Sequence, residues 1–151
     1  FNLCYDPKEE FFFDIENSEH KHYQVKTISG LFPLILQNTP KNILDKLVER
    51  YLINPDEFWL PYPIPFVSKS EKSFDPGYHF LLWRGPTWIN TNWFIINGLR
   101  KHGFNEVADK LAKKTVEMVE KSGLWEMYHP ITGVGMGQKD YTWSGLVLDL
   151  I

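Results

Sequence analysis

Apolar positions along the chain repeat at helical spacing in five places, separated by stretches that obey no period. From 27 to 37, Ile28, Leu31, Phe32 and Ile35 fall at i, i+3, i+4 and i+7, one face of a helix. Pro33 inside that run predicts a kink, or a helix that starts at Pro33 itself. Thr39-Pro40 reads as a cap followed by a first-turn proline. The helix it opens carries the stripe Ile43, Leu44, Leu47, Val48 and Tyr51, and Asn54-Pro55 ends it. A third helix is predicted from Gly85-Pro86 to about His102, with Ile89, Trp93, Ile96 and Leu99 apolar and Gly103 as its stop. Its three asparagines, Asn90, Asn92 and Asn97, are unexpected, because Asn is a weak helix former. A fourth helix spans 105–122 on the stripe Phe104, Val107, Ala108, Leu111, Ala112 and Val119, with Gly123 at its end. The link from His102 to Asn105 is so short that helices three and four must be antiparallel neighbours. A last helix starts near Trp143.

Between these helices the pattern changes. Phe11-Phe12-Phe13-Asp14-Ile15 is an apolar run of strand length, with His22-Tyr23-Gln24-Val25 as its partner in a short hairpin. Residues 54–82 are irregular, and Phe58 to Phe66 holds three prolines and four aromatics. Proline at alternate positions forbids helix and discourages a central strand. So many aromatics argue against disorder, so this stretch reads as an ordered loop lining a site. Residues 124–140 read as a second aromatic, Gly-rich loop. The expected architecture is therefore all-α, with long aromatic loops alternating with tight helix turns, and with a short β-hairpin near the N-terminus.

At 151 residues the chain holds one domain's worth of core. No apolar stretch approaches the roughly 20 residues needed to span a bilayer, and no secretory signal pattern opens it. The net charge of −3 comes from 16 basic and 19 acidic residues interspersed, which is no nucleic-acid footprint. One cysteine, Cys4, excludes an internal disulfide and a Cys-based zinc cage, and it fits a reducing, cytoplasmic setting. His20, His22, His79, His102 and His129 show no ligand spacing, so neither a metal nor another cofactor is expected. Aromatic residues make up 16% of the chain, including 6 Trp. Tryptophan carries an N–H that must be satisfied, and indole rings stack well on the C–H faces of sugars.

Two clusters carry candidate chemistry. Most acidic residues, such as Asp45, Glu49 and Glu117, fall on the polar sides of their helices. Glu126 instead lies in Trp125-Glu126-Met127-Tyr128-His129-Pro130, a loop by this reading. A carboxylate among aromatic rings is partly desolvated and becomes a better base. The bland alternative is a loop Glu paired with Arg or Lys. In Trp83-Arg84-Gly85-Pro86-Thr87-Trp88, two indoles bracket a turn into a helix N-terminus, where free N–H groups favour oxygen ligands. Arg84 could fork onto a sugar hydroxyl pair or pack on Trp by a cation–π contact. Gly133-x-Gly135-x-Gly137 has the wrong spacing and context for a dinucleotide loop. It suits a tight turn or a close approach of backbone to a ligand.

Trp83 to Trp93, Gly123 to Tyr128, Gly133 to Gly137 and Tyr141-Thr142-Trp143-Ser144 together resemble glycoside hydrolase family 63. That family includes processing α-glucosidase I and the mannosylglycerate and glucosylglycerate hydrolases. Ser29 to Leu34 and the Trp59 to Pro65 loop are similar to it too, so the resemblance covers about Tyr5 to Ile151. It implies an (α/α)6 toroid with its site at the loop-bearing mouth, and inversion at an α-glycosidic bond. It implies Glu126 as the general base and Trp83 and Trp88 as walls of the sugar pocket. Arg84, Asn92, Tyr128, Gln138 and Trp143 are carried over as further substrate-binding positions. An inverting hydrolase needs two carboxyls about 6.5–9.5 Å apart. The family's general acid is an Asp in an upstream segment that has no counterpart here. About five helices also cannot close a ring of twelve. The expectation is the C-terminal portion of a glycosidase catalytic domain (residues 1–151). It would act on a small sugar substrate once an N-terminal partner segment or another copy closes the toroid. The alternatives are a non-catalytic carbohydrate-binding or regulatory subunit, and a degenerate remnant without a ligand.

Overall fold

The computed structural model describes residues 2–16, 20–77 and 83–151; His79 and the polar residues 17–19 lie outside them. The triple-Phe run does not form one strand. Its first half, β2 (Phe11–Phe12), pairs antiparallel with β1 (Tyr5–Asp6). After Phe13 the chain turns to pair β3 (Asp14–Glu16) with β4 (Lys21–Tyr23), opposing Asp14 to Tyr23 and Ile15 to His22. All three phenylalanines are buried. The Phe11 ring lies 4.5 Å from that of Tyr51 and 6.2 Å from that of Phe58.

Residues Ile28–Ile35 wind as a 3₁₀ helix rather than an α-helix. Side chains three apart eclipse in that geometry. The buried face is therefore Ile28, Leu31 and Leu34, while Phe32 and Ile35 stay half-buried. Pro33 sits within the run, and its carbonyl accepts from Leu36 N–H (3.2 Å) and from the Thr39 hydroxyl (2.7 Å). Thr39 thus closes the 3₁₀ segment instead of capping the next helix, whose N-cap is Pro40. That helix, α1 (Lys41–Lys46), continues through a π-wound stretch, Leu47–Leu52. Leu44, Leu47, Val48 and Tyr51 are buried as the stripe requires.

α2 (Ile89–Lys101) begins four residues later than the Gly85-Pro86 signal suggests. α3 (Asn105–Ser122) lies antiparallel beside it. Hydrogen bonds from Asn92 to Thr115 (2.9 Å) and from Arg100 to Asp109 (3.4 Å) fix that register. Ile95, Ile96 and Leu99 of α2 meet Leu111 and Ala112 of α3 and the N-terminal aromatics in one core. Fully burying each such aliphatic side chain contributes roughly 1.5–3 kcal/mol.

The Gly-rich stretch after α3 is no loop. β5 (Trp125–Tyr128) and β6 (Gly135–Lys139) form an antiparallel hairpin with a register shift between Trp125 and Met127. The chain then runs into a second 3₁₀ segment, Thr142–Leu150. The mainly helical chain with a short hairpin near the N-terminus thus carries further small hairpins besides. Among the described residues five helical segments dominate, counting α1 and its π-wound continuation as one, with two two-stranded hairpins before the first of them and a third, β5–β6, after α3. Among the described residues, no helix is long and apolar enough to cross a membrane. None of their His, Cys, Asp and Glu side chains group in threes as a metal ion would require.

Candidate active site

Pro86 lacks a backbone donor and Thr87 is β-branched, so the run before α2 stays extended. Thr87 exchanges both backbone hydrogen bonds with Tyr128 of β5 (2.8 and 2.9 Å). On its other side, Phe66 N–H donates to the Pro86 carbonyl (3.1 Å) and the Thr87 hydroxyl donates to the Tyr62 carbonyl (2.8 Å). The proline-rich stretch, the entry to α2 and β5 are thus laced together. That lacing sets where the candidate residues sit.

Trp83, Trp88 and Trp143 come together. Trp83 stacks on Trp88 with ring centroids 4.3 Å apart and planes within 12°. Trp143 packs at 50° on Trp88, 5.9 Å away. Phe66 supports Trp83 from behind (4.8 Å), and Tyr141 meets Trp143 edge-on (5.4 Å). Trp83 and Trp143 are 46% and 44% exposed, whereas Trp88 is 1% exposed. A ligand can therefore reach the two outer indoles and not the middle one. Among the described residues, the Trp88 indole N–H and the Asn90 side-chain carbonyl are buried without a hydrogen-bond partner.

Glu126 sits on β5, half-buried. Its Oε2 accepts from the backbone N–H of Gln138 on β6 (3.1 Å). The neighbouring Trp125 carbonyl accepts the buried hydroxyl of Ser144, which ties the Trp143 segment to the strand bearing Glu126. Gly135 lets the hairpin close over its own indole, since a side-chain carbon there would lie 2.0 Å from the Trp125 ring. Gly135 and Gly137 thus serve close approach to side chains of their own hairpin, whereas a side-chain carbon at Gly133 would lie 2.8 Å from the Tyr62 ring.

The profile described as the mannosylglycerate hydrolase MGH1-like glycoside hydrolase domain matches residues 1–144. The chain belongs to that glycoside hydrolase family. A mannosylglycerate hydrolase from Thermus thermophilus is 33% identical over 143 residues, covering 93% of this chain and 32% of the relative. The solved structure of a GH63 mannosylglycerate hydrolase from Thermus thermophilus in complex with glucose superposes at TM-score 0.87. It is 30% identical and covers 99% of this chain and 34% of that one. The neutral trehalase Nth1 of Saccharomyces cerevisiae, 18% identical, shares the fold alone at TM-score 0.71, over 99% of this chain and 28% of that one. The chain thus spans about a third of the length of these two mannosylglycerate hydrolases.

Three positions carried over as substrate-binding, Trp88, Asn92 and Tyr128, are buried against protein. Trp88 backs Trp83 and Trp143. Asn92 is 0% exposed, and its amide is spent on protein. Its Oδ1 accepts from Ile64 N–H (3.1 Å), and its Nδ2 donates to the Pro63 carbonyl (2.7 Å) and to Thr115 Oγ1 (2.9 Å). Tyr128 is also 0% exposed; its hydroxyl donates to the Gly123 carbonyl (2.8 Å) and accepts from Trp125 N–H (3.0 Å). Burial pushes its phenol pKa up, which keeps that donor in place. Trp83, Arg84, Gln138 and Trp143 remain exposed. Arg84 is anchored through its carbonyl, which accepts from Asp75 N–H (2.8 Å). Ser144, which ties the wall to the strand, was missed, because a buried hydroxyl aimed at a carbonyl 19 residues away leaves no local signature.

The turn of this hairpin carries a pH-sensitive joint. His129 Nδ1 accepts from the N–H groups of Ile131 (3.2 Å) and Thr132 (3.4 Å), so the ring is neutral. Burial holds its pKa below the ordinary 6.5. The unfolded chain therefore binds this proton more readily. The stability the neutral ring contributes is complete above pH 6.5 and is lost as pH falls through the lowered value. Replacing His129 with Asn, which accepts without titrating, is expected to remove part of the drop in melting temperature between about pH 7.5 and about pH 5. An unchanged drop would show that other groups set the acid sensitivity.

Proposed function

We propose that this chain supplies the general base and one aromatic wall of an inverting α-glycosidase site, as a portion of an (α/α)6 toroid. The observation that carries this reading is the placement of Glu126. It is a half-buried carboxylate on a strand tied through Trp125–Ser144 and Thr87–Tyr128 to the indole wall. One oxygen is held by a backbone N–H, and Glu126 would take a proton from a water attacking the anomeric carbon. The leaving oxygen would be protonated by an acid from the rest of the catalytic domain, on the opposite face of the sugar. The exposed faces of Trp83 and Trp143 would stack on the ring, and Arg84 and Gln138 would meet hydroxyl or carboxylate groups. The substrate would be a small α-mannoside or α-glucoside of the mannosylglycerate kind. The exposed apolar side chains Phe94 and Leu148 would be covered by the rest of the toroid. A cytoplasmic, reducing setting suits the unpaired thiol of Cys4.

The test uses the complete catalytic domain and α-mannosylglycerate, with α-glucosylglycerate beside it, followed by proton NMR. The expected first product is the free sugar as its β-anomer. An α-anomer formed first would overturn inversion, and no cleavage of either compound would overturn the substrate class.

A further inference from the structure

We infer that Gly137 and the backbone N–H of Gln138 form a positioning clamp that fixes the Glu126 carboxylate. This deepens the reading of Glu126 as the base and rests on it. Gly137 adopts φ +76°, a left-handed conformation that side-chain-bearing residues rarely take. That turn aims the next N–H across the hairpin at Glu126 Oε2, 3.1 Å away. A side-chain carbon at Gly137 would lie 2.5 Å from the same oxygen and 3.0 Å from Glu126 Cβ. The register shift between Trp125 and Met127 falls opposite this point, so the Gln138 donor is turned to a side chain. One oxygen is thereby held, which sets the direction of the other. A general base displaced by about 1 Å loses much of its effect. The clamp explains why glycine stands at 137, whereas at 135 the demand comes from the Trp125 ring.

The experiment is a double-mutant cycle in the complete catalytic domain, using an activated α-glycosyl fluoride so that slow variants stay measurable. Gly137→Ala is expected to lower kcat by on the order of 10²-fold while KM moves by about threefold or less. In a Glu126→Gln background the same substitution is expected to change the residual rate by less than about twofold, because a positioning residue has nothing left to position. A purely structural glycine would cost the same in both backgrounds, and that result would overturn the clamp. Hydrogen exchange supplies a reading independent of catalysis and of the Gly137 variant's folding. The Gln138 amide is expected to lose protection in Glu126→Ala, and unchanged protection would also overturn the clamp. If Glu126→Gln retains full activity, the base assignment fails, and the exchange measurement still decides the clamp separately.

Discussion

Hydrolysis by the complete catalytic domain is expected to fall by about 10²–10⁴-fold when Glu126 is replaced by Gln, the usual contribution of a general base. The substitution keeps the size of the side chain. A Gln oxygen can still accept the Gln138 N–H, so the hairpin and the aromatic wall are left as they are. What is lost is the capacity to take a proton from water. KM should therefore stay within a few-fold of the parent, because the proposed sugar-binding residues Trp83, Arg84 and Trp143 are untouched and would bind substrate and transition state alike. The measurement is steady-state kinetics on an α-mannoside and an α-glucoside. A rate within about tenfold of the parent would remove Glu126 from this role.

The second large effect is on stability. Asn92→Ala is expected to destabilise the domain by about 3–5 kcal/mol, since buried donors and acceptors left unpaired cost roughly 1–3 kcal/mol each. The Ile64 N–H and the Pro63 carbonyl would both lose their partner in the interior, and Thr115 would lose one. Asn92→Asp keeps an acceptor for Ile64 but turns a charge toward the Pro63 carbonyl, and is expected to do no better. Denaturant midpoints measure both. The damage should spread to Tyr62, whose carbonyl accepts from Thr87, and so to the entry of α2. A cost below about 1 kcal/mol would mean that the amide is not a structural clamp and would return it to the ligand contacts.

The helical hairpin of α2 and α3 was legible from the residues, because two long runs of 3.6-residue period joined by a three-residue link admit one arrangement. In Ile28–Ile35 the expected face holds at Ile28 and Leu31, while Phe32 and Ile35 are only half-buried against the core. The periods 3.0 and 3.6 share Ile28 and Leu31 and diverge from Phe32 onward, where the 3₁₀ winding buries Leu34 instead. β5 and β6 went unseen because Trp125 to Tyr128 does not alternate in burial and Gly135 and Gly137 erase the strand signal opposite. Of the proposed site, Trp83, Arg84, Gln138 and Trp143 are exposed. Trp88, Asn92 and Tyr128 belong to the same motifs, but contacts from distant segments bury them. No local pattern distinguishes a tryptophan that meets ligand from the one behind it.

The parallel pair of indoles at Trp83 and Trp88, 4.3 Å apart, gives the molecule an optical signature of its own. Two chromophores so close and so nearly aligned share their excitation, and only one of them faces water. A ring settling on the outer indole would strip its solvent and shift the emission of the pair, so occupancy could be followed in solution without any added label.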